Sequence, residues 1–325
     1  MIKSLKDLLD KFSRFTNSLV YDGGICKRLI AINLAPNSFF ASGELNPNIT
    51  PEAIAELKAI YGLDKPLYIQ FFSWISSIIQ LDFGISFSSG AKVKDEILNR
   101  IEVTLILNII SMILIFLISL YFGIKSAMKQ NSFFDRFTNQ LSLLSFSMPS
   151  FYLALVLVLI FSIKFELFPI AGLHSVPKDG SLTYYLDFAW HLTLPIFIIV
   201  FGGIGSLILY IRALTIEILK SDYIFFARAR GLSNKIILRH YILPNLYPPI
   251  ITLLGLSLPG IIGGSVILET IFSIDGMGLL FYQSALSHDY PVIMGILIIG
   301  SFLTLLGNIL ADLVLLKLNP NYSEK

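Results

Sequence analysis

Long apolar segments separated by short polar stretches dominate the chain after residue 100. Each is about 20 residues or longer, which is the length that a helix needs to cross a bilayer. There are five of them, and they cover residues 103–124, 141–163, 192–211, 246–268 and 292–316. The pattern predicts five transmembrane helices.

The composition supports a membrane protein. Hydrophobic residues make up 55% of the 325 positions and charged residues only 14%, and the mean hydropathy is +0.75. A soluble domain could not cover its surface with so few charges. One cysteine, Cys26, excludes an internal disulfide framework, and the four histidines show no metal-ligand spacing. We therefore predict an all-α, polytopic membrane protein without catalytic or metal-binding residues.

Basic residues predict on which side of the membrane each loop lies. Residues 125–136 carry three Lys or Arg and residues 212–244 carry six, whereas residues 166–187 carry only Lys178 and residues 272–290 carry none. Because basic loops tend to remain in the cytoplasm, the first two are predicted to be cytoplasmic and the other two external.

This orientation places the segment before the first of these helices outside the membrane. Residues 37–100 look folded, because Thr50 and Pro51 begin an amphipathic stretch that Gly62 ends. A second amphipathic stretch, residues 69–81, suits an interfacial helix at the outer leaflet or a plain soluble helix. We predict an external helical segment.

An earlier crossing should precede this external segment, but the sequence there is poorly suited to a membrane. Residues 13–36 contain Arg14, Asp22, Lys27 and Arg28. Each charge near a bilayer centre costs about 2.5–3.5 kcal/mol, and the region is too charged for a cleavable signal. We infer a degraded or altered first helix, and an upstream frameshift would produce this pattern.

The charged segment 222–245 contains residues that typically begin and end short helices. Ser221 is placed to cap the first, Asp222 suits its positive first turn, and Gly231 favours its end. A folded, basic and partly apolar loop indicates a docking surface for a cytoplasmic partner. An ordinary positive-inside loop is the alternative.

A second short helix is predicted in the same segment. Ser233 is placed to cap it, and Pro244 is expected to end it.

Short motifs follow one another from residue 34 to residue 322. They are L-A-P at 34–36, Y-G-L-D-K-P at 61–66, L-D-F-G-I-S at 81–86, D-Y-I-F-F-A-R-A-R-G at 222–231, L-P at 243–244, L-E-T-I-F at 268–272, D-Y-P at 289–291 and L-N-P at 318–320. In this order and spacing, the chain resembles the first of the two permease subunits of binding-protein-dependent ABC importers for dipeptides, oligopeptides and nickel.

The resemblance implies the type I transmembrane fold of ABC importers, in the inner membrane of a bacterial-type cell. It implies three kinds of partner besides the lipid bilayer, and no nucleic acid. They are a second homologous permease, two cytoplasmic ATPase subunits and an external substrate-binding protein. The chain lacks a G-x-x-x-x-G-K-[ST] loop, so ATP and Mg²⁺ are expected on the ATPases and no cofactor on this chain. It is predicted to be a transport subunit rather than an enzyme, forming half of the pathway for peptides or nickel.

The resemblance also implies which residues couple the permease to the ATPases. They are Asp222, Tyr223, Phe225, Phe226, Ala227, Arg228, Ala229, Arg230, Gly231, Leu243 and Pro244. Phe225 and Phe226 depart from the general family pattern, and two interpretations remain open. An aromatic ring can enter a pocket on the ATPase, or one Phe can pack against the chain's own helices. The two arginines are expected to orient the docked helix.

Four residues are predicted to act in translocation or gating. Glu269 lies just past the outer end of an apolar segment, where a charge points to function; bonding of the external loop is the alternative. Gly260, Gly263 and Gly264, which form a small-residue face together with Ser257, offer close helix approach at the permease–permease interface or a narrow passage.

Isolated residues within the apolar segments suggest local features. Pro149 and Pro259 are expected to kink their helices. Asn108, Gln140 and Asn308 are expected to bond across helices rather than meet substrate.

The predicted organisation has four parts. Residues 1–36 hold the degraded first helix, 37–100 form the external segment, 101–317 form the permease core with the loop 212–244, and 318–325 form a cytoplasmic tail. Two alternatives remain: a disabled or assembly-only permease, and a secondary transporter, which would show repeated halves and buried ion sites.

Overall fold

The computed structural model describes most of the chain after residue 81. The described residues are 66, 69, 76, 77, 80, 82–177, 179–263 and 266–318. The predicted first helix, the amphipathic stretch that begins at Thr50, most of residues 69–81 and nearly all of the predicted tail lie outside them.

The described chain is helical, and its extended pairing is one isolated bridge between Ile85 and Lys92. Its helices are α1 Val93–Met128, α2 Phe133–Ser147, α3 Ser150–Leu157, α4 Leu182–Leu219, α5 Asp222–Ala229, α6 Asn234–Ile237, α7 Leu243–Gly263, α8 Val266–Ile271, α9 Met277–Leu286 and α10 Tyr290–Leu318. Wider π-helical turns extend α3 over Val158–Lys164 and α6 over Leu238–Ile242. The predicted all-α class is confirmed.

Three described helices are long and apolar enough to cross a membrane: α1, α4 and the part Tyr290–Leu310 of α10. α1 has 36 residues and α4 has 38, so they run for about 54 and 57 Å at 1.5 Å per residue. The predicted spans 103–124 and 192–211 are only their middle parts. The apolar pattern marks only the part of each helix that is suited to contact with lipid, whereas the helical hydrogen bonds continue beyond that part.

Residues 141–163 do not form the single continuous span that the apolar pattern predicted. α2 and the π-extended α3 are bent by 97° relative to each other, as a broken span or a re-entrant loop. Met148 is extended, with φ −87° and ψ 120°, because a residue before proline is driven out of the α region. The expected kink at Pro149 is therefore a complete break.

The remaining predicted span, residues 246–268, corresponds to α7 and α8, with two residues between them outside the described chain. It is not among the helices that meet the same measure of length and apolarity. In the described residues the number of candidate spans is therefore three, or four if the bent pair counts as one.

The chain divides into two compact units, which are described separately. One comprises Leu280–Ser301 with the chain up to Asn99, and the other comprises Arg100–Leu279 with Phe302–Asn319. In the second unit, α1, α3, α4 and α8 share a core cluster. Its fully buried members include Leu107, Ala154, Ile198 and Leu268.

In the first unit, residues 82–92 form a tight turn before α1. Gly84 and Gly90 adopt φ values of +81° and +72°, which L-residues with a side chain rarely adopt. The turn is closed by backbone hydrogen bonds from Ser86 N to Ala91 O at 2.8 Å and from Val93 N to Gly84 O at 3.0 Å.

Contacts within the second unit agree with the predicted grouping of the loops. Near the start of α1, Arg100 binds Asp275 at 2.7 Å, and Gly172 N donates to Phe272 O at 2.8 Å. These contacts join loops that were predicted to be external. The loops predicted to be cytoplasmic meet near the other end of α1, through an ion pair between α2 and α4.

Candidate functional site

The polar segment 222–244 is held against the helical bundle by buried apolar side chains. In α5 the buried residues are Ile224 and Ala227, three positions apart and therefore on one helix face. They join a core cluster that includes Phe116 of α1 and Ile211 of α4. One face of α5 is thus anchored to two of the longest helices.

The opposite face of α5 is aromatic and exposed. Phe225 is 68% exposed and Phe226 is 61% exposed, and their rings meet edge to face with centroids 5.8 Å apart. Tyr223 is also exposed, and its ring stacks on Tyr241 with centroids 6.4 Å apart. Neither Phe is buried against the chain's own helices, so that interpretation of Phe225 and Phe226 is wrong.

Exposed cations follow these aromatic rings. Arg228 and Arg230 are exposed at the C-terminal end of α5, where positive charge complements the helix dipole. No ion pair of either guanidinium occurs within the described part of the chain. We call Tyr223, Phe225, Phe226, Arg228 and Arg230 the docking surface.

Gly231 ends α5 in a Schellman motif. Its φ is +74°, its N–H donates to Arg228 O at 2.9 Å, and Leu232 N donates to Ala227 O at 3.2 Å. An added Cβ would meet nothing within 4 Å. The position therefore favours glycine for its backbone conformation rather than for space, and α5 ends where the sequence predicted.

The two predicted serine caps have different outcomes. Ser221 occupies the N-cap position of α5, but its hydroxyl donates to Ile218 O at 2.6 Å instead of capping. The end of α4 lies next to it and supplies this carbonyl, so the predicted side-chain cap is wrong. Ser233 does cap α6, since its hydroxyl accepts from Ile236 N at 3.5 Å.

Pro244 begins a helix rather than ending one, so the prediction for this residue is wrong. The chain passes from α6 through the π-helical turn, closed by Leu243 N donating to Leu238 O, directly into α7. Pro244 stands in the first turn of α7, where the missing N–H of proline requires no partner. The wide turn accommodates the proline without breaking the helical path.

Glu269 is fully buried and holds the start of α9. Its Oε2 accepts from Gly278 N at 2.7 Å and from Leu279 N at 3.1 Å, and Oε1 accepts from Thr104 at 3.3 Å. A carboxylate stabilises a helix N-terminus by pairing free N–H groups and by its charge. These contacts match the loop-bonding alternative, and a gating role for Glu269 stays a prediction.

The residues around this carboxylate were not singled out from the sequence. A Cβ at Gly276 would lie 2.5 Å from Glu269 Oε2, and one at Gly278 would lie 3.0 Å from it. Thr104 also accepts from Met277 N at 2.8 Å. Single Thr and Gly residues far apart in sequence carry no pattern that links them to Glu269.

The predicted glycine face lies partly in α7 and partly outside the described chain. Gly260 and Gly263 lie within α7, but their surroundings are not described, and Gly264 lies outside the described residues. Their predicted role stays a prediction. Close helix approach is seen elsewhere: a Cβ at Gly205 of α4 would lie 2.5 Å from Ser142 O of α2.

Two of the four scattered histidines meet at one carboxylate. His174 Nδ1 lies 3.8 Å from Asp187 Oδ2, and His191 Nδ1 lies 3.5 Å from Asp187 Oδ1. Ser175 N also donates to Asp187 at 2.6 Å. These contacts join the loop that precedes α4 to residues near the start of that helix. Among the described residues, no group of three or more His, Cys, Asp or Glu is arranged to hold a metal ion.

A cavity of about 510 Å³ lies between α1, α4 and α7 in the second unit. Apolar side chains form most of its walls, and its polar lining consists of Asn108, Ser111, Ser206, Tyr210 and Ser257. Asn108 was expected to bond across helices, and Ser257 to belong to a small-residue face. The other three were missed, because isolated Ser and Tyr residues in apolar helices carry no periodic pattern.

A bundle of long apolar helices, a cavity with no charged residue in its described lining and an anchored docking helix are the features of a membrane permease driven from outside its own chain. Residues 116–324 match the family described as the binding-protein-dependent transport system inner membrane component. The chain belongs to this family and is a multi-pass inner-membrane permease subunit of an ABC importer.

Known relatives match most of the chain. It is 34% identical to the oligopeptide transport system permease protein AppB of Bacillus subtilis, over 85% of this chain and 87% of the relative. It is 34% identical to the oligopeptide permease OppB of Haemophilus influenzae, over 89% and 90%. It is 32% identical to the metal-staphylopine import permease CntB of Staphylococcus aureus, over 86% and 85%.

A solved structure shares the fold. The inward-facing MetNI methionine ABC transporter aligns with a TM-score of 0.55 and 17% identity, over 69% of this chain and 96% of that chain. The expected ABC-importer transmembrane fold is confirmed. The family assignment favours an importer over the secondary transporter considered from the sequence.

Proposed function

We propose that this permease forms half of a translocation pathway for peptides and that ATPases drive it through the docking surface on α5. The observation that carries the proposal is that α5 is buried on one face and exposed on the other. Ile224 and Ala227 are buried in the bundle, whereas Phe225 and Phe226 are exposed. The names of AppB and OppB, both oligopeptide permeases, support peptides as the cargo.

Metal complexes are the second candidate cargo. The relative CntB is a metal-staphylopine import permease, and nickel was among the substrates that the sequence motifs suggested. The same docking mechanism serves either cargo, because an external binding protein selects it.

The complete importer contains a second homologous permease, two ATPase subunits and an external substrate-binding protein. The ATPases bind ATP and Mg²⁺ and carry out hydrolysis. This chain contributes the mechanical link and the pathway, and no cofactor is assigned to it.

The link operates as a lever. Closure of the ATPase dimer displaces the docked α5, and the buried face of α5 transmits the displacement to α1 and α4 through the shared core cluster. Such rigid-body motion is an established way of switching a membrane protein between two states. Gly231 gives the sharp turn that returns the chain from the docked helix to the bundle.

Binding at the docking surface combines apolar burial with charge. Burying an exposed Phe side chain contributes about 1.5–3 kcal/mol, and aromatic side chains enclosed by a partner pocket are typical binding hot spots. Arg228 and Arg230 flank the rings and can pair with carboxylates on the ATPase, since guanidinium offers a planar fork of donors.

The test uses the full importer reconstituted in proteoliposomes. The double variant Phe225→Ala/Phe226→Ala should retain the ATPases at least about tenfold less well, because the lost burial exceeds 1.4 kcal/mol. ATP-driven uptake should fall in parallel. Phe146→Ala is the matched control, because Phe146 is 67% exposed but lies on α2. ATPase retention and uptake at wild-type level in the double variant would overturn the assignment.

A further inference from the structure

Two serine hydroxyls in the cavity have already used their donor protons. Ser111 Oγ donates to Leu107 O at 2.7 Å, and Ser257 Oγ donates to Leu253 O at 2.7 Å. A hydroxyl carries one proton and two acceptor lone pairs. Ser111 is buried, whereas Ser257 is exposed, so towards a further partner Ser257 acts as a hydrogen-bond acceptor.

The cavity also lacks ionised groups. No Asp, Glu, Lys or Arg from the described chain lines it, and its other polar groups are Asn108, Ser206 and Tyr210. Its volume of about 510 Å³ lies within the range of about 300–1,000 Å³ that is usual for small-molecule sites. Apolar walls with a few oriented polar groups are the usual composition of such sites.

We propose that this cavity is a transit-binding site for substrate segments that carry N–H donors, such as the backbone amides of a peptide. The proposal rests on the proposed peptide transport and adds a site inside the permease. The exposed Ser257 accepts a hydrogen bond from a substrate N–H group, and the apolar walls contact the side chains of the substrate.

The absence of charge suits transit rather than retention. A pathway must bind its cargo well enough to admit it and weakly enough to release it. Neutral acceptors satisfy both conditions, because a hydrogen bond between neutral groups is about half as strong as one assisted by charge. Peptides with acidic and with basic side chains pass without strong preference, because the lining has no fixed charge to attract or repel them.

The first test introduces a charge at Ser257. The full importer is given an equimolar pool of random pentapeptides, and the imported peptides are identified by mass spectrometry. Ser257→Lys should lower the imported ratio of basic to acidic peptides by about threefold or more, and Ser257→Asp should raise it, since a fixed charge beside apolar walls attracts or repels a charged substrate.

Thr252 provides the matched control for this experiment. It lies on the same helix, is also exposed and also donates its hydroxyl proton to a carbonyl, that of Pro248 at 3.0 Å, but it does not line the cavity. Thr252→Lys and Thr252→Asp should leave the ratio unchanged. Unshifted ratios in both Ser257 variants would overturn the cavity assignment alone. A wild-type importer that imports no peptide from the pool would overturn the proposed cargo and, with it, the transit site.

The second test removes the acceptor. The wild-type importer should take up a pentaalanine peptide in preference to its N-methylated form, and Ser257→Ala should reduce this preference by about fivefold, as expected for one lost hydrogen bond. Thr252→Ala should not change it. Because every variant uses the same binding protein, selection by that protein cancels. An unchanged preference in Ser257→Ala would contradict the acceptor role.

Discussion

Arg212 donates two hydrogen bonds to the carboxylate of Asp135, from Nε at 2.7 Å and from Nη2 at 2.9 Å. Asp135 also accepts from the Ser126 hydroxyl and from Asn131 N. The carboxylate therefore joins α1, α2 and α4 at the end of the bundle where α4 leads into α5, the helix that carries the docking surface. In the proposed lever, this ion pair would carry a displacement of α4 to α2 and to the bent pair that α2 forms with α3.

Loss of this ion pair should destabilise the permease strongly. Arg212→Ala leaves the buried charge of Asp135 without its partner, which costs about 3–5 kcal/mol of unfolding free energy. The measurement is denaturant unfolding of the purified permease in detergent micelles. Arg136→Ala removes an exposed arginine next to Asp135 and should change stability by less than about 0.5 kcal/mol. Equal effects of the two variants would show that the pair contributes little.

Replacing Gly231 should disturb the end of α5 through backbone strain. Gly231→Ala forces a residue with a side chain into a φ of +74°, which costs about 1–2 kcal/mol. Hydrogen exchange at Leu232 N should become faster, and ATP-driven uptake should fall.

Gly202→Ala is the control that distinguishes an effect of backbone strain from an effect of limited space for the added side chain. Like Gly231, it has nothing within 4 Å of an added Cβ, but it lies in the middle of α4 without a positive φ. Gly202→Ala should be neutral or stabilise by up to about 1 kcal/mol. If both variants behaved alike, the Schellman turn would not be the reason for glycine at position 231.

Removal of the Glu269 carboxylate should loosen the start of α9. Glu269→Ala leaves the N–H groups of Gly278 and Leu279 without their acceptor, at a cost of about 1–3 kcal/mol for each buried donor. Their hydrogen exchange should become faster, whereas Glu102→Ala, at an exposed glutamate of α1, should leave it unchanged. Impaired uptake with unchanged exchange would favour the gating role instead.

Asp289 should be needed for the turn that precedes α1. Its buried carboxylate accepts from the Ser86 hydroxyl at 2.5 Å, from Phe87 N at 3.2 Å and from Ser88 N at 3.1 Å. Asp289→Ala should therefore accelerate hydrogen exchange at Phe87 and Ser88. Asp82→Ala is the control. Asp82 is exposed, and its carboxylate accepts from Gly84 N at 3.0 Å rather than from Phe87 or Ser88. Unaltered exchange in Asp289→Ala would contradict the role of the carboxylate.

Features governed by local chemistry were predictable from the sequence. The end of α5 at Gly231 and the cap at Ser233 follow from backbone preferences of single residues. The break at Pro149 was anticipated as a kink, but its angle of 97° depends on how α2 and α3 pack. Local signals also gave wrong predictions for Ser221 and Pro244, because serine and proline each fit more than one position near a helix end.

The sequence by itself determined the helical membrane class, the middle parts of the long helices and the family, because apolar pattern and motif order are properties of the linear chain. Only the tertiary structure decided which face of α5 is exposed, that Glu269 supports α9, and that Ser111 and Ser257 share one cavity. It also joined the D-Y-P motif to the L-D-F-G-I-S motif through Asp289 and Ser86. Such contacts link residues far apart in the chain, and their spacing carries no signal until folding brings them together.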